Sequence, residues 1–286
     1  MKKVIGHNQA KKKIMNNLSI LSWLICGKKG IGKATFAKSF SNWFLIKNYD
    51  EVALDLHIVE GDTIGVEKVR EMKNFLYLSP IQSEYKIAII DSLESMTNNA
   101  KNAILKILEE PPQNSKILII SHKPYDIQTT IRCRCFQLNL LPLTYDETKQ
   151  VVSSQYKFED KIFSEIITFF PGTPGVIINA INSGAYESHK HFYTFFRNLN
   201  NSDIVNKIIN SEIELELASH IIQTSILESI KKEVNNVEIL LSQLSQWKEI
   251  DELFVAAKQF RLDKKHVLAN VANIMTQKCN TFNINL

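Results

Sequence analysis

Residues 27–33 read Gly-Lys-Lys-Gly-Ile-Gly-Lys, directly after an apolar run and directly before a helical pattern. In that context Gly27, Gly30 and Gly32 let backbone N–H groups turn inward around phosphates at a helix N-terminus, and Lys33 reaches the terminal phosphates. The next position should offer a hydroxyl to magnesium, but it is Ala34. Thr35 stands one residue late, about 100° further round the helix, so its hydroxyl is expected to point away from the phosphates. A second chemical group ends the apolar run Lys86-Ile-Ala-Ile-Ile-Asp91, where a strand-terminal carboxylate helps to hold magnesium. Ser92 follows it and cannot act as a base toward water. Glu94 is expected to be a solvated or helix-capping carboxylate.

These groups need a sheet to position them. Short apolar runs at Leu21–Cys26, Leu56–Glu60, Ile87–Asp91, Lys116–Ser121 and Cys135–Leu138 alternate with helical patterns at Lys33–Lys47, Val66–Leu78 and Thr97–Leu108. Continuous Ile/Leu/Val runs suit strands covered on both faces of a parallel sheet. Thr97 is placed to cap its helix, and Pro111-Pro112 closes it. Beyond Leu140 no strand is convincing: Thr144-x-x-Glu147 has capping-box spacing, and Pro171-Gly-Thr-Pro-Gly175 separates two short helices. Further on, Val237, Leu240, Leu241, Leu244 and Trp247 share one helical face, as do Val267, Leu268, Val271, Ile274 and Met275, and both stripes are expected to be helix-bundle core.

Taken together, the glycine loop, Asp91 and above all Asn102-Ala-Ile-Leu-Lys-Ile-Leu-Glu-Glu-Pro-Pro112 resemble the clamp-loader branch of the AAA+ proteins. Ile131-Arg-Cys-Arg-Cys135 is similar to that branch's Ser-Arg-Cys motif, with Cys133 in place of the serine, and Ile64–Glu71 is similar to its segment before the strand-end carboxylate. The resemblance covers roughly residues 4 to 180. It implies an α/β parallel-sheet P-loop domain over 1–142, a helical lid over 143–188 and an all-α collar domain over 189–286. It also implies that Arg134 reaches the ATP of a neighbouring subunit, and that Ser121 stands at the sensor 1 position. Val176 replaces the sensor 2 arginine, and Ser92 replaces the catalytic glutamate. The trans-acting arginine is therefore present while the magnesium hydroxyl, the glutamate and the sensor 2 arginine are missing. This pattern suits a subunit that assists hydrolysis elsewhere, with gamma/tau and delta subunits as ring partners and the sliding clamp and primer-template DNA as indirect ones. An active motor ATPase is the alternative. A small-molecule phosphotransferase ranks last, since nothing in the chain suggests an acceptor site.

The remaining composition sets bounds. The chain has 286 residues, 44% of them apolar and 22% charged, with a net charge of +4. That suits two or three domains with a core, and any DNA contact must be local or shared with partners. Lys2, Lys3, Lys11, Lys12 and Lys13 are expected to be a solvated helix face. The apolar run from Leu18 to Cys26 is broken by Ser19 and Ser22, so no membrane span or leader is expected. Cys26, Cys133, Cys135 and Cys279 suit a reducing cytoplasm. The stretch from Asn48 to His57, where many clamp-loader subunits carry zinc-binding cysteines, has none, and Cys133-x-Cys135 with His122 falls short of four donors. Zinc is not expected, and neither is a required cofactor, although the loop keeps a capacity for ATP or ADP.

Overall fold

The computed structural model describes residues 4–47, 53–156, 170–182 and 237–282, with isolated positions between 163 and 167 and between 215 and 230. The chain divides into two compact units, residues 1–177 and 178–286. Residues 143–177 cluster with the sheet, and the expected boundary at 188/189 lies outside the described residues.

Five strands form one parallel sheet: β1 (Ser22–Cys26), β2 (Leu56–Glu60), β3 (Lys86–Asp91), β4 (Ser115–Ser121) and β5 (Phe136–Asn139), in the order β2-β3-β4-β1-β5. Strands β1, β3 and β4 are buried on both faces apart from the half-exposed Asp91, which is why they read as unbroken apolar runs. Alternate residues feed two separate cores. On one face Leu24, Ala88, Ile90, Ile117 and Ile119 pack under α3 (Val66–Tyr77), α4 (Asn98–Glu109) and the one-turn α5 (Thr129–Arg132). On the other, Trp23, Ile25, Ile87, Ile89, Leu118 and Ile120 pack under α1 (Asn8–Met15) and α2 (Lys33–Ile46). Each fully buried Leu or Ile contributes about 1.5–3 kcal/mol, so the sheet is a rigid base for its strand-end residues.

The helix starts follow from their caps. Thr97 accepts from the Ala100 N–H, and Thr144 and Glu147 close a full capping box on α6 (Tyr145–Ser153). A further helix, α7 (Pro174–Asn182), starts after the Pro-Gly break. The lysines of α1 are not simply solvated: Lys11 Nζ donates to Val4 O, and Lys13 Nζ donates to Gln137 O on the edge strand β5 while lying over the Phe136 ring.

In the second unit α8 (Val237–Phe260) packs on α9 (Lys264–Phe282). Val267, Leu268, Val271 and Met275 are buried as expected, with Ile274 half-buried. The other stripe needs correction at three of its five positions, since only Leu240 and Trp247 are half-buried. Val237, Leu241 and Leu244 are 65, 61 and 43% exposed, because α8 buries Ile250, Phe254 and Ala257 from its C-terminal half instead. No described helix is long and apolar enough to cross a membrane.

Candidate nucleotide site and trans-acting arginine

The loop 27–33 leaves the C-terminal end of β1, which lies between β4 and β5. This is where the strand order reverses, and where the crevice of a parallel sheet opens. Gly30 and Gly32 hold φ of +82° and +93°, in the left-handed region that glycine adopts without a Cβ penalty. A Cβ at Gly30 would lie 2.5 Å from Val176 Cγ2, and Gly30 O accepts from the Gly175 N–H at 2.8 Å. The start of α7 therefore closes directly over the loop tip. Val176, expected on the lid where an arginine would sit, adds an apolar contact there and no charge.

Lys33 opens α2 and is only 3% exposed. Its ammonium turns into the loop and donates to Gly27 O at 2.7 Å and Lys28 O at 2.5 Å. Burial pulls its pKa down to about 8, against the pull of the nearby Glu94 and Asp91 carboxylates. Thr35 is exposed and Ala34 offers no oxygen, as the spacing implies. Asp91 ends β3 half-buried, and burial raises its pKa against the neighbouring Lys38.

Glu94 departs from expectation. Rather than being solvated, its Oε1 accepts from Ser121 Oγ at 2.6 Å, His122 N–H at 2.9 Å and Lys123 N–H at 3.0 Å. Burial would raise its pKa, but these bonds outweigh that and hold it below the ordinary value. Its other oxygen, Oε2, is buried without a hydrogen-bond partner among the described residues. Ser121, fully buried at the end of β4, is thus committed to Glu94. The only advance signal for this link was a polar residue at the end of β4 and a carboxylate in the turn just past the end of β3; the adjacency of β3 and β4 had to come from the fold.

Arg134 lies in the turn between α5 and β5, 31% exposed at its side chain. Its Nη2 donates to Glu109 Oε1 at the end of α4, and its Nη1 to Thr130 O at 2.8 Å. Sequence reasoning passed over Glu109, although a carboxylate at the negative end of a helix dipole was a local misfit to notice. Cys133 is exposed, with Sγ donating to Thr130 O, because it caps the end of α5 and precedes the strand. Cys135 is half-buried beside the α3/α4 core, and burial pushes its thiol up to about 12; Cys26 is buried in β1 and raised to about 11.

His7 was also missed. It adopts φ of +55° ahead of α1, and its Nε2 lies 2.8 Å from Ile31 O, tying the N-terminal segment to the loop.

These side chains answer whether a nucleotide fits. The glycine turns and Lys33 suit a phosphate, but the magnesium donors are reduced to Asp91. Among the described residues no group of three or more His, Cys, Asp or Glu could hold a metal ion.

Comparison with known proteins finds similar chains of one kind. Residues 5–144 match the model for the DNA polymerase III delta subunit. The chain is 32% identical over 163 residues to the DNA polymerase III gamma subunit of Buchnera aphidicola from Schizaphis graminum, covering 49% of this chain and 45% of that protein. It is 43% identical over 88 residues to the delta' subunit of Buchnera aphidicola from Baizongia pistaciae, covering 31% and 25%. Over residues 5–144 the chain is similar to the clamp-loader subunits of DNA polymerase III. In the matched segments it spans less than half the length of these curated relatives. A DNA polymerase III gamma subunit-related protein of Thermotoga maritima shares the fold, with a TM-score of 0.59 at 19% identity over 94% of this chain and 98% of that one.

Proposed function

We propose that this chain is a delta prime-type clamp-loader subunit that does not hydrolyse ATP itself and supplies Arg134 to the ATP site of a neighbouring gamma/tau-type subunit. Its ring, with a delta subunit, then loads the sliding clamp onto primed DNA in the cytoplasm. The observation that carries this reading is Glu94. Its carboxylate, whose charge acts on Lys33, is bound by Ser121 and two backbone N–H groups, and its lowered pKa makes it a poor base. With Ala34 and Ser92 beside it, the site keeps phosphate-holding parts and lacks those that activate water.

Arg134 stands outside that site, in the turn after α5. A guanidinium is permanently charged and presents a planar donor fork, so it stabilises charge spreading over a transferred phosphoryl group. An arginine in that role is worth about 10³-fold or more at the site it serves. The test is Arg134→Ala in the assembled loader. Folding and assembly should be retained, and the DNA-stimulated ATPase should lose the share contributed by that site; an unchanged rate overturns the proposal.

A motor subunit that hydrolyses ATP is the second reading, favoured by the retained Lys33 and Asp91 and by the longer match to gamma subunits. Magnesium-dependent turnover by the isolated protein, abolished by Lys33→Ala, would establish it instead.

A further inference from the structure

Helix α4 ends on two carboxylates, Glu109 and Glu110, followed by Pro111-Pro112. Acidic side chains at the negative end of a helix dipole, one beside the other, are locally unfavourable. Residues that break a local rule are often committed to something further away. Here Glu109 is committed to Arg134, 25 positions along the chain.

The way Arg134 is held matters. Nη2 donates to the Glu109 carboxylate, while Nη1 donates to Thr130 O and also to Cys133 Sγ at 3.4 Å. Both terminal nitrogens of the fork are therefore engaged by acceptors of its own subunit. A guanidinium in this position cannot present that edge to a phosphate in another subunit. The pair is weakly held, however, because its side chains are 31% and 48% exposed, and ion pairs in water contribute little. A phosphate group carries more charge and more acceptor oxygens than one carboxylate, so it competes well for the same fork.

We propose that Glu109 is a latch on Arg134: it parks the guanidinium against α4 and yields it only when the neighbouring subunit's site presents a nucleoside triphosphate. Loss of the terminal phosphate returns Arg134 to Glu109. The latch makes the arginine responsive to the nucleotide state of the partner and suppresses idle hydrolysis. Glu109 acts through Arg134 and touches no nucleotide, so it is a positioning residue. The inference rests on the trans-acting role proposed above.

The experiment uses the fully assembled loader and compares wild type, Glu109→Gln, Arg134→Ala and the double variant. The glutamine side chain keeps the shape and loses the charge at a half-exposed site. Glu109→Gln should raise the DNA-independent ATPase about three-fold at low ionic strength, the Boltzmann weight of one exposed ion pair. The gain should shrink in high salt, where screening weakens the wild-type latch too. In the Arg134→Ala background Glu109→Gln should change nothing, a dependence that a merely structural role would not show. If Arg134→Ala lowers the rate but Glu109→Gln leaves it unchanged or reduces it, the latch is wrong and the trans-acting role survives. If Arg134→Ala has no effect, the trans-acting role fails, and the latch with it.

Discussion

Asp55→Asn should be severely destabilising, for reasons that can be counted bond by bond. Asp55 is fully buried just ahead of β2. Its Oδ1 accepts from Ile81 N–H at 2.8 Å and faces Lys86 Nζ at 3.5 Å. Its Oδ2 accepts from Gln82 N–H at 2.7 Å, Ser83 N–H at 2.9 Å and Ser83 Oγ at 3.3 Å. An asparagine keeps one acceptor oxygen and turns the other into a donor facing donors. It also leaves the Lys86 ammonium, 2% exposed and over the Phe75 ring, without its counter-charge. Breaking one partner of such a pair costs about 3–5 kcal/mol, a large part of a domain's ~5–15 kcal/mol. With a urea slope of about 3 kcal/mol/M, the midpoint falls by about 1–1.7 M. The assay is tryptophan fluorescence in a Trp247→Phe background, so that only Trp23 and Trp43, both in the first unit, report. Adding Lys86→Met should recover much of the loss, since a well-packed apolar group there needs no partner. Burial alone would raise the Asp55 pKa, but the three N–H groups and Lys86 outweigh it and lower it. Its contribution is therefore present above the unfolded pKa of about 4 and lost as pH falls toward the folded value. A midpoint shift under about 0.3 M, or no recovery with Lys86→Met, would refute the reasoning.

Burial lowers the His7 pKa against its hydrogen bond to Ile31, so stability that is complete above about pH 6.5 should decline on further acidification, and His7→Asn should flatten that decline in thermal melts. If the loop binds ATP, titration calorimetry should show affinity falling as pH rises through about 8, where Lys33 loses its proton; a pH-independent affinity would contradict that use of Lys33. Thr97→Ala should cost about 1 kcal/mol in urea melts by removing the acceptor for Ala100 N–H. In a Cys279→Ser background a maleimide should label Cys133 well before Cys26 or Cys135, whose thiols are raised to about 11 and about 12.

Much of the fold was legible because its signals are local. The apolar runs of β1, β3 and β4 announce strands covered on both faces, and Thr97 and Thr144 mark helix starts through bonds only three residues long. The helical stripe at Val237 misled because periodicity shows that a face exists without showing what covers it.

What the sequence determined by itself is the chemistry available: a glycine loop with Lys33, no hydroxyl at Ala34, no glutamate at Ser92, and an arginine at 134. These are facts of residue type and spacing within a few positions. The tertiary structure decided which groups remain free to use that chemistry. It joined Glu94, in the turn after β3, to Ser121 at the end of the adjacent β4, placed Val176 over Gly30, and brought Arg134 back to Glu109. Each of these pairs is 25 or more residues apart in the chain. Their contact depends on the strand order and on helices packed against the sheet, and no local pattern encodes either.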